Sequence, residues 1–92
     1  MTISHVYDTY AKTSQGKTLH FDVVLDEQDQ QKALTYAKHW LESQGLESAT
    51  VTTENCYFCH SVEAPADLRE QIDIFGYAYI NWKVVQNNNF KV

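Results

Sequence analysis

The sequence predicts an α+β domain: a two-layer sandwich of order β-β-α-β-α-β, with a four-stranded mixed sheet and both helices on one face. Three observations lead there. Residues 3–10 and 18–25 are rich in β-branched and aromatic side chains and flank a polar stretch, residues 11–17 with Gly16, that has turn composition. Two stretches repeat apolar residues at helical spacing, and each runs into a glycine. A last alternating run, residues 77–85, supplies the fourth strand. The whole chain has 92 residues, enough for one core, so residues 1–85 form one domain and residues 86–92 a polar tail.

Each element follows from its own pattern. In the second strand the two-residue period puts Leu19, Phe21, Val23 and Leu25 on one face, and His20, Asp22 and Val24 on the other. The first strand has no clearly apolar face, so its facing stays open. Asp26-Glu27-Gln28-Asp29 is an acidic opening suited to the positive end of a helix dipole. The helix behind it carries the stripe Ala33, Leu34, Ala37, Trp40 and Leu41 to about Gln44, and Gly45-Leu46 stops it. A short strand over residues 49–53 leads into the loop Glu54-Asn55-Cys56-Tyr57-Phe58-Cys59-His60. Pro65 then opens a second helix with the apolar edge Leu68, Ile72 and Phe75, ended by Gly76. In the last strand Ala78, Ile80, Trp82 and Val84 alternate with Tyr77, Tyr79, Asn81 and Lys83.

Right-handed crossovers would lay both helices over Leu19, Phe21, Val23, Ile80 and Trp82, burying Trp40 and Trp82. The opposite face would then be open. It would carry His20, Asp22, Tyr77 and Tyr79 with either His5 and Tyr7 or Asp8 and Tyr10. Tyrosine is favoured at interfaces. Those tyrosines, with Phe90 in the tail, therefore point to a homodimer formed through the open face or by exchange of the C-terminal segment.

Composition excludes several classes. A net charge of −5 leaves little for counter-ion release at phosphates, so nucleic acid is not an expected partner. No basic n-region, apolar leader or membrane-spanning run is visible, so a cytoplasmic location is expected and both cysteines are read as thiols. Asp26, Glu27 and Asp29 lack the glycine and distal glutamate of a calcium loop. The three glycines already serve turns and helix ends, and none forms a phosphate cradle.

The chemistry-bearing residues are Cys56, Cys59 and His60, with Asp8, His20 and Asp22 as candidate supporting groups. Cys-x-x-Cys-His matches the attachment motif of haem c, in which both thiols bond the macrocycle and the histidine binds iron. The strand-rich context, the missing signal and a sole methionine at Met1 oppose that reading, so the protein is expected to be colourless. Zinc is the better fit to two thiols at this spacing, with Cys56, Cys59 and His60 as ligands and a fourth from a residue such as His20, Asp22, His5 or Glu63. Only half of such a site is visible in the spacing. A redox dithiol would need a helix starting at the second cysteine, whereas the helix here starts near Pro65. A cysteine nucleophile with His20 or His60 as base and Asp22 as orienter is a further reading. Against all of these stands simple burial, common for free cysteine.

The segments Val6-Tyr7-Asp8-Thr9-Tyr10, His20-Phe21-Asp22-Val23 and Glu54-Asn55-Cys56-Tyr57-Phe58-Cys59-His60 together resemble a family of small bacterial proteins known as domain of unknown function 2024. The resemblance runs by motif order from Met1 to Tyr79. It implies a compact α+β domain of bacterial origin and no established activity. Two classes of function remain open. One is a non-enzymatic cytosolic binding or assembly module whose cysteine loop is structural or metal-clamped. The other is a small thiol- or zinc-dependent enzyme using Cys56, Cys59 and His60 with His20 and Asp22. The small-molecule ligand is not specified by these residues.

Overall fold

The computed structural model describes residues 3–46 and 48–85, the last five by backbone alone. Seven elements follow in order: β1 (Ile3–Lys12), β2 (Thr18–Leu25), α1 (Gln30–Ser43), a 3-10 turn (Thr53–Asn55), β3 (Cys56–Glu63), α2 (Ala66–Phe75) and β4 (Ala78–Val85). The sheet order is β3-β1-β2-β4 and every neighbouring pair is antiparallel. The α+β class, the two helices and the number of strands are as the sequence predicts, but the third strand is Cys56–Glu63 and not residues 49–53. The sheet is not mixed. β2 and β3 do run parallel, but β1 lies between them, so no parallel pair is hydrogen-bonded.

The β1–β2 hairpin is the centre of the sheet. Its register runs from His5↔Leu25 to Lys12↔Thr18 without interruption. The turn is closed by the Thr13 amide donating to the Lys17 carbonyl at 2.8 Å. Helix α1 starts where the Asp29 carboxylate accepts the Lys32 amide at 3.1 Å. It ends in a Schellman motif, with Gly45 N–H donating to Glu42 and Leu46 N–H to Leu41. Ala33, Leu34, Ala37, Trp40 and Leu41 are its buried residues, the stripe read from the sequence. They pack on Tyr7, Phe21, Val23 and Leu25.

Helix α2 takes the other side. Leu68 and Ile72 pack with Val6, Val24 and Ala78, and with the partly buried Ile80. Val23 and Val24 are adjacent in an uninterrupted strand, so they point to opposite faces. The expected placement of both helices on one face is therefore corrected: α1 covers the odd-numbered positions of β2 and α2 covers one end of the even-numbered ones. Helix α1 already fills the odd-numbered face, which leaves the other face for the return. From the outer strand β3 the chain must cross three strand intervals, about 14 Å, to reach β4. A helix of 10 residues spans about that distance, roughly 15 Å, when laid across the strands.

This arrangement also resolves β1, whose facing the sequence leaves open. Tyr7 and Ala11 join the α1 core and Val6 the α2 core. Asp8 and Tyr10 lie on the His20 face. Tyr77 and Tyr79 do not join them. Tyr77 is buried and stacks on Tyr36 at 4.8 Å, while Tyr79 sits 4.9 Å from Trp40, both on the α1 side. The expected dimer contact loses those two rings, and Phe90 and the side chain of Trp82 lie outside the described residues. Residues 49–53 form no strand; Thr50 makes one isolated bridge to Lys12 before the 3-10 turn. Phe75, read as part of the apolar edge of α2, is exposed.

Asp26 ties three elements together. It accepts from Ser4 Oγ of β1 at 2.9 Å and from Arg69 Nη2 of α2, while following directly on β2. The hydrogen bond from Arg69, aided by that from Ser4, holds its carboxyl below the usual range. A carboxyl depressed in the folded state stabilises above its unfolded pKa of ~3.9, and that contribution is lost as pH falls through the lower native value. Asp26→Asn is expected to cost about 1–2 kcal/mol at neutral pH and to flatten the acid limb of the stability curve, measured by urea unfolding between neutral and strongly acid pH. At the end of α2, Gly76 has φ +91°, and an added Cβ would meet Tyr36 Oη at 2.8 Å. Gly76→Ala is expected to destabilise by about 1 kcal/mol or more in the same assay.

Candidate functional site

Helix α2 covers only one end of the even-numbered face. Among the described residues the other end carries no helix and is polar. Asp8 of β1 stands directly opposite Asp22 of β2, and Tyr10 opposite His20, one step further along the same face. Like charges at directly opposed positions are destabilising. Here the pair is also largely shielded from water, for Asp22 is 7% exposed and Asp8 is half-buried.

The His20 ring lies between the two carboxylates. Its Nε2 is 3.5 Å from Asp22 Oδ1 and 3.8 Å from Asp8 Oδ1. That nitrogen is buried and makes no hydrogen bond within the protein. Tyr10 stacks on the imidazole at 4.4 Å, nearly parallel at 12°, which sets the ring's plane. Tyr57 of β3 stands 6.3 Å beyond Tyr10. Burial, then the neighbouring Tyr57, Asp8 and Asp22, raise the Tyr10 phenol above its ordinary range, keeping it neutral. Tyr10 and Tyr57 also border a cavity of about 480 Å³, whose polar lining includes Lys12, Thr18, Thr50 and Asn55.

Among the described residues, Asp8, His20 and Asp22 form the group whose donor atoms, all within 4.8 Å of one another, could hold a metal ion. Two ligands bonded at ~2.1 Å to one tetrahedral ion lie roughly 3.4 Å apart. A charge-assisted hydrogen bond would instead bring N and O to about 2.7–2.9 Å. The observed 3.5 and 3.8 Å are closer to the first spacing.

The cysteines are separated. The segment read as a loop is strand β3, in which residues three apart point to opposite faces. Cys56 is wholly buried in the α1 core and accepts a hydrogen bond from Thr9 Oγ1 at 3.6 Å. Burial pushes its thiol up despite that hydrogen bond. Cys59 is exposed on the Asp8 face, with Sγ 3.1 Å from His60 Nδ1. The expected ligand set of Cys56, Cys59 and His60 is corrected accordingly: Cys59 and His60 stay together, and Cys56 lies beyond the sheet. Partial desolvation, then the charges of Asp8 and Asp22, raise the Cys59 thiol, opposite to the setting of a reactive nucleophile. Asp8, His20 and Asp22, named from the sequence as supporting groups, are the residues that converge. Tyr10 and Tyr57 were not singled out as site residues. The signal for Tyr10 was its spacing, since it and Asp8 repeat in β1 what His20 and Asp22 do in β2.

Native protein treated with an alkylating reagent in the presence of a chelator is expected to lose one thiol, Cys59, and Cys56 should react only on unfolding. The Cys59 rate should rise with pH through and above the ordinary thiol range near ~8.5, and Asp8→Asn should accelerate it at neutral pH. Labelling of Cys56 in the folded protein, followed by mass spectrometry, would contradict the assignment.

Comparison with known proteins agrees with this architecture. The NMR structure of protein NE1680 from Nitrosomonas europaea is 44% identical, covers 97% of this chain and 99% of its own, and superposes with a TM-score of 0.74. A search of the curated proteins finds no match. The family model described as a domain of unknown function, DUF2024, matches residues 1–82, and the chain belongs to that family.

Proposed function

We propose that the protein is a small binding module for a divalent transition metal, held on the open end of the sheet by Asp8, His20 and Asp22. One observation carries the reading: a buried imidazole nitrogen without a hydrogen bond, placed between two carboxylates that face each other across adjacent strands. A cation at that point satisfies the nitrogen and removes the repulsion between the carboxylates in one step. The donor set of one nitrogen and two oxygens suits borderline ions such as zinc, cobalt or manganese. All three ligands stand on the central hairpin, whose two strands are held by neighbours on both sides. Such a site is rigid before the ion arrives. The polar cavity bordered by Tyr10 and Tyr57 lies next to the cluster, and none of the three ligands lines it.

Equilibrium dialysis of untagged protein against zinc, with metal analysis, is expected to give one ion per chain. His20→Ala should weaken the affinity by more than about tenfold. At a free metal concentration near 100 times Kd the melting temperature should rise by roughly 10–20 °C. Substoichiometric uptake, or uptake unchanged in His20→Ala, would refute the proposal.

A further inference from the structure

We infer that the outer edge of β3 pairs with the same edge of a second copy of this chain, antiparallel about a two-fold axis, so that two four-stranded sheets join into one of eight strands. The surface lies outside the Asp8–His20–Asp22 cluster, and the inference stands whether or not that cluster takes a metal.

β3 is the last strand of the sheet, and among the described residues nothing pairs with its outer side. Beyond Cys56 every residue of the strand is exposed, including Tyr57 at 45%, Phe58 at 43% and Val62 at 38%. The N–H and C=O groups of such an edge are a template for another strand, and proteins usually guard them with short length, lysine, proline, inward charge, a bulge or a covering element. β3 runs for eight residues without lysine or proline, and its one carboxylate, Glu63, is its last residue. Of these devices it has a bulge alone. Tyr7 pairs with Phe58 and Val6 with His60, which leaves Cys59 as the extra residue.

That bulge makes the strand complementary to itself. Facing follows from the partners on β1: Tyr57, opposite Asp8, lies on the even-numbered face, and so does Val62, opposite Ser4. Phe58, opposite Tyr7, lies on the α1 face with Ser61, opposite His5, and so do Cys56, opposite Thr9, and Glu63, opposite Ile3. A two-fold axis normal to the sheet keeps each face on its own side, and residues opposed across a strand pair share a face. One register meets this condition along the whole strand. It sets Tyr57 opposite Val62 of the second copy, Phe58 opposite Ser61 and Cys56 opposite Glu63, with both bulges at the axis. Tyr57 against Val62 is an aromatic and β-branched pair of the kind that stabilises sheets, and symmetry supplies it twice. Each β3 edge is used once, so the pairing closes at two copies.

Charge selects the direction. The chain carries −5, so a second copy fits only where the acids stay apart. Antiparallel pairing leaves the two copies of Glu63 about 24 Å apart, well beyond the ~8 Å screening length at physiological salt. Parallel pairing would set them side by side. Area is sufficient as well. A specific interface needs about 1,000 Å² in total, so each of the seven exposed residues must bury roughly 70 Å². A half-exposed tyrosine or phenylalanine, with about 150–250 Å² in all, supplies that amount.

Light scattering of the untagged chain between about 1 µM and 1 mM is expected to show the mass rising from one chain to two. Val62→Lys, which places a charge on the edge at an exposed position, should stay at one chain throughout and melt where dilute wild type melts. The register is tested by combining Tyr57→Cys and Val62→Cys in a Cys59→Ser background, where mild oxidation is expected to give a covalent dimer. Val62→Cys alone in that background should give none, because the two copies of the position lie about 17 Å apart and a disulfide spans Cα atoms no more than about 7 Å apart. Wild type that remains at one chain up to ~1 mM overturns the inference, whether the edge is bare or covered by the chain's own last residues. A dimer that survives Val62→Lys overturns it by placing the contact elsewhere. Failure of the cysteine pair to cross-link, or equal cross-linking by Val62→Cys alone, rejects the pairing of Tyr57 with Val62.

Discussion

Eight cross-strand pairs join β1 to β2, and almost every other feature depends on that register. It sets Val6 against Val24 and Tyr7 against Val23, giving each helix its own apolar surface on the hairpin. It also sets Asp8 against Asp22. A slip of one residue would turn both cores to the wrong sides at once, so two hydrophobic surfaces hold the register that opposes the carboxylates. Burial of Phe21, Val23, Leu25 and Trp40 on one side, and of Val24, Leu68 and Ile72 on the other, thus maintains a polar arrangement that is unfavourable by itself.

The sheet is polarised along the strands as well as across them. At the end where β2 leaves the sheet, α2 covers the even-numbered face and Arg69 reaches Asp26. At the other end no helix of the described residues lies over that face, and Tyr10, Tyr57 and threonines border a cavity there. The polar cluster falls at the boundary between these halves. Its histidine is therefore shielded on one side by packing and by the Tyr10 ring, and Asp22 is buried, while Asp8 remains partly exposed. Stability and accessibility are divided between two ends of one short hairpin.

Much of this was legible in the sequence. The limits of β2, the cap and stripe of α1 and the glycine end of α2 each depend on local chemistry, which the sequence states directly. The side taken by α2 was not legible, because it depends on where β3 lies in the sheet, and a strand order is a non-local fact. The same cause hid the facing of β1. A strand buried on both faces shows no clean alternation, and Val6-Tyr7 reads equally well either way. Cys56-x-x-Cys59-His60 drew attention as a spacing motif, but spacing carries a ligand meaning only if the segment curls. As an extended strand with one bulge, it sends Cys56 inward and leaves Cys59 exposed. His20 and Asp22 were visible as one face of a strand, and their convergence with Asp8 needed the hairpin register.

The division of the two cysteines also determines how the molecule meets an oxidant. Cys56 is sealed beneath the sheet and Cys59 stands outside it, so closing an intrachain disulfide would require β3 to leave its place beside β1. The folded chain therefore presents a single thiol to its surroundings. Mild oxidation can join Cys59 only to another molecule, a small thiol or a second chain, and such a bond would form beside His60 at the edge of the sheet.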